Sequence, residues 1–146
     1  MLVNQLQKYV DTLKEKQLKI TPQRLSIMKY LDDHRTHPTA DQIYFDLKHS
    51  NPSLSKTTVY NSLHTLQKNH VIQTITISST EHRYDINNKT HHHFLCTQCG
   101  AIIDIDIDCP NEHKILQQGH KVEQVHGYFK GICKTCLTPK EEKKQC

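Results

Sequence analysis

No apolar run in this 146-residue chain is long enough to cross a bilayer. The opening stretch, Met1–Lys14, lacks the apolar centre of a secretion signal. These two absences exclude a membrane-spanning reading and lead us to expect a cytoplasmic protein with no membrane partner. A strong excess of one charge is also missing, since the formal net charge is only +4. Charge by itself therefore does not establish a nucleic-acid partner. No paired general acid and base stand out, so turnover catalysis is not expected. Hydrophobic residues make up 35% and charged residues 23%, a balance that fits one or two small folded domains better than a disordered chain.

What the chain does have is cysteine in pairs. Cys96 and Cys99 lie in CTQCG, and Cys133 and Cys136 lie in CKTC, with 33 residues between the pairs. Each knuckle can give two thiolates to one tetrahedral ion, so the spacing reads as a four-cysteine structural zinc site. With no export signal in view, reduced thiols holding metal are expected over disulfides. Cys109 and Cys146 fall outside the knuckles and carry no catalytic reading.

The first half has helical periodicity. Leu2, Leu6, Tyr9, Val10 and Leu13 mark a first helix, and Thr21-Pro22 caps a second bearing Leu25, Ile27, Met28 and Leu31. Thr39 and Gln42 make a capping box for a third helix through Ile43, Tyr44 and Leu47. Ser55 opens a fourth, with Val59, Leu63 and Leu66 facing inward. The segments VIQTITI and HRYDI then alternate as two strands of a hairpin. Helices followed by a hairpin are the parts of a winged helix-turn-helix domain. Its recognition helix would be the fourth, whose polar face can enter a major groove. On it, Tyr60 and Asn61 are candidates to read bases, and Lys56, Thr57 and Thr58 to hold phosphates. Lys19 and Arg24 are placed to reach backbone or minor groove. The positive excess also lies in this half, where residues 1–86 hold 11 basic and 8 acidic side chains.

After a polar stretch at 87–90, suited to a hinge, the remaining sequence is small. It predicts strands in FLC and AIIDIDI, a helix over 110–118, and a strand containing Lys121, Val122, Val125 and Tyr128. At least two sheet edges would be exposed, and pairing with a second copy would cover one, so a homodimer is expected. The charged tail from Pro139 shows no periodicity. Beside the first knuckle lies a second set of metal donors. On an extended segment His91 and His93 face one side and His92 the other. Together with Asp85 and Asp104 they offer two imidazoles and two carboxylates, a set that suits Fe2+, Mn2+ or Zn2+. His37, in THPTAD, is a fifth candidate that periodicity alone does not bring to the site.

The pieces ITPQR, HPTADQIY, TTVYNSL, HRYD, HHHFLCTQCG and GICKTC, in order and spacing over residues 18–136, resemble the ferric uptake regulator family. The resemblance implies an α+β chain, with a winged-helix DNA-binding domain at 1–86, a hinge at 87–90, a dimerisation and metal-binding domain at 91–138, and a flexible tail at 139–146. The second domain would be a C-terminal α/β unit with the four-cysteine zinc. The resemblance also implies a metal-responsive repressor of double-stranded operator DNA. Its structural zinc would sit on Cys96, Cys99, Cys133 and Cys136, and its regulatory metal on His37, Asp85, His91, His93 and Asp104. Within the family, the set with Asp85 looks most like the peroxide-sensing branch. Such proteins use Fe2+ or Mn2+ as corepressor, and iron-driven oxidation would fall on His37 and His91. Two features depart from that branch: Cys109-Pro110 and the HHH triplet resemble iron- or zinc-sensing members. An iron- or zinc-responsive repressor is thus the alternative, with Zn2+ as alternative regulatory ion. His92, Glu112 and His126 are candidates for an additional metal. From another class, a zinc-stabilised protein-interaction module would keep the zinc and the dimer but show no preference for operator DNA.

Overall fold

Thirteen buried side chains between Tyr9 and Ile72 form the principal core, and the elements of the first half are arranged to build it. The computed structural model describes residues 2–77, 81–87, 89, 91–107, 112–122, 125 and 127–138. The chain divides into two compact units, Met1–Asn88 and Lys89–Cys146.

In the first unit, α1 spans Leu2–Glu15, α2 Pro22–Asp33, α3 Ala40–Ser50 and α4 Lys56–Lys68. The starts follow from capping chemistry. Thr21 accepts from the Arg24 N–H ahead of α2, and Thr39 and Gln42 form a reciprocal capping box on α3. Ser55 accepts from the Thr58 N–H to open α4. Val59, Leu63 and Leu66 are fully buried on the inner stripe of α4, against Ile27, Met28 and Leu31 of α2 and Ile43 of α3. Each such side chain contributes roughly 1.5–3 kcal/mol on burial, so this stripe fixes which face of α4 stays outside. The hairpin follows as β1, Gln73–Ile75, antiparallel to β2, Arg83–Asp85.

A further pairing ties that hairpin to the loop before α3. Thr39 bridges to Arg83, the Tyr84 N–H donates to the Pro38 carbonyl at 3.1 Å, and an Arg83 guanidinium N–H donates to the His37 carbonyl at 3.3 Å. These bonds pin the 37–39 segment to β2. They also hold His37 at φ 52°, in the left-handed region that non-glycine residues seldom adopt.

In the second unit, β3 (His92–Cys96) is central in a three-stranded sheet, between β4 (Ile102–Ile105) and β5 (Tyr128–Gly131). It runs antiparallel to β4 and parallel to β5. A helix α5, Glu112–Gln117, follows β4, and a short α6, Lys134–Leu137, follows β5. Of the strand expected to contain Lys121, Val122, Val125 and Tyr128, the described residues Lys121, Val122 and Val125 lie outside β5, which spans Tyr128–Gly131. The reason is register: Tyr128 already lies opposite His93, so a parallel partner extended upstream would run past the start of β3. The α6 turn was not expected; it is set off by the second knuckle, with Cys133 at its N-cap. Among the described residues, the buried apolar side chains of this unit are Cys96, Ile102 and Cys133. Ile103, Ile107, Ile115, Tyr128, Phe129 and Ile132 remain exposed. A core this small needs a staple, and two of its three members are sulfur donors.

Candidate metal centres and nucleic-acid interface

The four knuckle cysteines converge as reduced thiols. The sulfurs of Cys96 and Cys136 are 3.9 Å apart, as are those of Cys99 and Cys133, and all four lie within 4.8 Å of one another. Four Zn–S bonds of about 2.3 Å in a tetrahedron place sulfurs roughly 3.8 Å apart, so the donor set fits zinc. The local backbone favours thiolate. The N–H groups of Cys133, at 3.3 Å, and Cys99, at 3.5 Å, point at the Cys96 sulfur and bring its thiol down to about 6. Cys136 lies near the other sulfurs, and contact with Cys133, followed by burial, pushes its thiol up to about 12. Cys109 and Cys146 lie outside the described residues.

The histidine and aspartate candidates form two groups, one in each unit. In the first, the His37 Nε2 is 3.7 Å from an Asp85 carboxylate oxygen, and both side chains are 3% exposed. The loop pinned to β2 supplies the histidine, and β2 itself supplies the aspartate. In the second, the Nε2 atoms of His91 and His93 lie 3.3 and 3.4 Å from the same Asp104 oxygen. Asp104 faces His93 directly in the β3–β4 register, which is why the strand pairing delivers it. The His91 Nδ1 lies 2.7 Å from the Lys89 carbonyl. A carbonyl only accepts, so Nδ1 is the donor in that contact and Nε2 is the ring nitrogen placed toward Asp104 to coordinate an ion. Nitrogen and carboxylate oxygen donors of this kind fit Fe2+, Mn2+ or Zn2+.

His92 points to the opposite face. Its ring is buried over Gly127, edge-on to Phe129 with centroids 6.2 Å apart. Of its suggested co-ligands, His126 and the side chain of Glu112 lie outside the described residues.

On α4, Lys56, Thr57, Tyr60 and Asn61 are exposed, whereas Thr58 is half-buried with its hydroxyl 2.7 Å from that of Ser55. Thr58 thus already serves the helix cap. Lys19 is exposed, and half-buried Arg24 donates to the Lys19 carbonyl. One residue of this face was missed by sequence reasoning. Asp41, in the first turn of α3, accepts from the Tyr60 hydroxyl at 2.6 Å and from the Lys56 ammonium at 3.0 Å. Those two bonds, Tyr60's the larger, hold Asp41 below the usual carboxylate range. The available signal was an acid just after a capping threonine, which reads equally well as helix-end electrostatics.

Comparison with known proteins bears on both centres. Residues 15–130 match the ferric uptake regulator family. The peroxide-responsive repressor PerR of Staphylococcus aureus is 33% identical over 136 residues, covering 91% of this chain and 92% of that protein. The crystal structure of the Campylobacter jejuni peroxide stress regulator is 34% identical with a TM-score of 0.70, covering 87% of this chain and 98% of the other. The Helicobacter pylori ferric uptake regulator, described as having three functional metal-binding sites, shares the fold at 24% identity. Its TM-score is 0.72, and 96% of each chain is covered.

Proposed function

The chain belongs to the ferric uptake regulator family, and from that premise we propose that it is a metal-dependent repressor that senses hydrogen peroxide through oxidation of its own metal-binding histidines. Members of the family are DNA-binding transcriptional regulators that act as dimers, not enzymes. The observation that carries the reading is the pair of donor groups, buried His37 with buried Asp85, and His91 and His93 with the more exposed Asp104. The identity to peroxide-responsive relatives supports it.

In this reading all five residues serve one regulatory metal, and the cysteines hold a structural zinc. His37 and Asp85 belong to the winged unit and the other three to the sheet unit. Sharing one ion would make each arrangement of the units bind metal with its own affinity, which is the only way a metal can favour a DNA-binding arrangement. Fe2+ bound there would supply the electron that cleaves peroxide, which Mn2+ would not. His37 and His91 would take up the resulting oxidation. A histidine so altered is a poorer donor, so the groups part and operator DNA is released. The protein would act in the cytoplasm, as a homodimer presenting two copies of α4 to a two-fold site. Among the described residues, no helix is long and apolar enough to cross a membrane.

The test is operator binding by anaerobic Fe2+-loaded protein before and after a small peroxide dose, with Mn2+-loaded protein alongside. We expect loss of binding in the iron sample only, not restored by fresh Fe2+, with one oxygen atom added to peptides containing His37 or His91. Unchanged binding with both metals would reject peroxide sensing and favour the iron- or zinc-responsive reading, toward which the HHH triplet leans.

A further inference from the structure

The outer face of the winged unit carries a three-residue arrangement that the metal chemistry does not use. Lys56 opens α4, Tyr60 lies one turn later on the same face, and Asp41 reaches both from the first turn of α3. The Lys56 ammonium is 2.9 and 3.0 Å from the two Asp41 oxygens. The Tyr60 hydroxyl donates to the same carboxylate at 2.6 Å, and the ammonium lies 5.8 Å from the Tyr60 ring centroid.

Stability does not account for this triad. Lys56 and Asp41 are more than half exposed, and exposed pairs of this kind add little to folding. Its position is more informative. Lys56 is the only basic residue in the first two turns of α4, the part of a recognition helix that meets DNA. Asp41 cancels that charge. A phosphate approaching Lys56 must displace the carboxylate or sit beside it, and either costs affinity on every DNA sequence alike. The same carboxylate tethers the Tyr60 hydroxyl, restricting the ring before any base is met.

Resting on the DNA-binding reading above, we propose that Asp41 is a specificity-determining residue of the interface. Its carboxylate occupies Lys56 and so lowers sequence-independent attraction to phosphate. It also holds Tyr60 oriented to pack against a base edge. Specificity is a ratio of affinities, and a residue that weakens the competing mode widens it.

The experiment uses Mn2+-loaded full-length protein and two duplexes. One is enriched by the wild type from a random-sequence pool, and the other is the same composition scrambled. Binding is measured across a salt series for wild type, Asp41→Asn, and Asp41→Asn combined with Lys56→Gln. We expect Asp41→Asn to bind the scrambled duplex about 3- to 10-fold more tightly near 0.1 M salt. The salt slope should steepen by about 0.9 for each phosphate newly engaged. The enriched duplex should gain less, so discrimination narrows, and adding Lys56→Gln should return the scrambled-duplex affinity and slope to wild-type values or weaker. Unchanged affinity and slope on the scrambled duplex, or an equal change on both duplexes, would overturn the role of Asp41 while leaving operator binding intact. A pool from which the wild type enriches no duplex would instead overturn the DNA-binding reading, and this inference with it.

Discussion

At the scale of single residues, position decides role more than residue type. The chain has twelve histidines, and among the described residues His37, His91 and His93 are set within 4 Å of a carboxylate oxygen on an acid distant from them in the chain or across a strand pair. Replacing His37 or Asp85 by alanine should abolish metal-dependent DNA retention while leaving one zinc per chain and the dimer. Zinc analysis and sedimentation on the same samples would check this, and loss of zinc in either variant would contradict separate roles. Asp32 illustrates the opposite case, an acid with a purely structural position. Burial raises its pKa, but hydrogen bonds from Tyr9, Arg35 and Gln5 outweigh that, and the net shift is downward. A depressed folded value means its stabilisation is complete above roughly pH 4, where the unfolded carboxylate is ionised, and disappears as pH falls through the lower folded value. Asp32→Asn should therefore lower the urea midpoint of the helical signal at pH 5, and the gap from wild type should be narrower at pH 3. An equal gap at both values would rule out the carboxylate as its source. The cysteines were legible in sequence because two-residue spacing is itself the geometry of a knuckle. Asp41 was not, because its partners lie fifteen and nineteen residues away and only the packing of α3 on α4 joins them.

Among the elements, the starts of α2, α3 and α4 could be read from sequence, because capping threonine, serine and proline state where a helix begins. The sheet of the second unit could not. A strand's length depends on the partner it meets, and β5 is cut short by where β3 starts. That junction carries its own constraint. A Cβ at Gly127 would lie 1.8 Å from the His92 Nδ1 atom. Since the Gly127 carbonyl also accepts from the His93 N–H at 3.0 Å, the backbone there has little room to retreat. Gly127→Ala should destabilise the sheet by about 1–3 kcal/mol. It should also disturb the His93 amide resonance and weaken Mn2+ binding, with the α1–α4 resonances unmoved. A variant that melts like wild type and binds Mn2+ equally well would show that His92 can swing aside at no cost.

For the whole molecule, the two units are stabilised in different ways. The first owns a continuous apolar core from Tyr9 to Ile72, and the second has almost none among its described residues. Structural zinc contributes folding free energy directly, so chelation should act on one unit alone. Cys96→Ser, or a strong chelator, should collapse the amide dispersion of residues 91–138 while the helical signals of the first unit persist. Cooperative loss of both would show that the first unit depends on the second. Periodicity and cysteine spacing led us to expect two domains, whereas the meeting of His37 with Asp85 needed the fold. Forty-seven residues and the β2 pairing lie between them.

That pairing has a thermodynamic consequence. Arg83 and Tyr84 grip the 37–39 segment, and the next residue of the same strand, Asp85, is one of the proposed metal donors. The two residues that grip the His37 loop and the proposed ligand Asp85 are thus three consecutive residues of one strand, in the hairpin that would lie along a DNA backbone. Anything that steadies the hairpin steadies two of the five donors. Linkage is reciprocal, so whatever factor metal adds to operator affinity, operator must add to metal affinity. Repressor seated on its operator would then hold its ion down to a lower free metal concentration than repressor in free solution, and the DNA-bound population would be the last to forget its metal as supply falls.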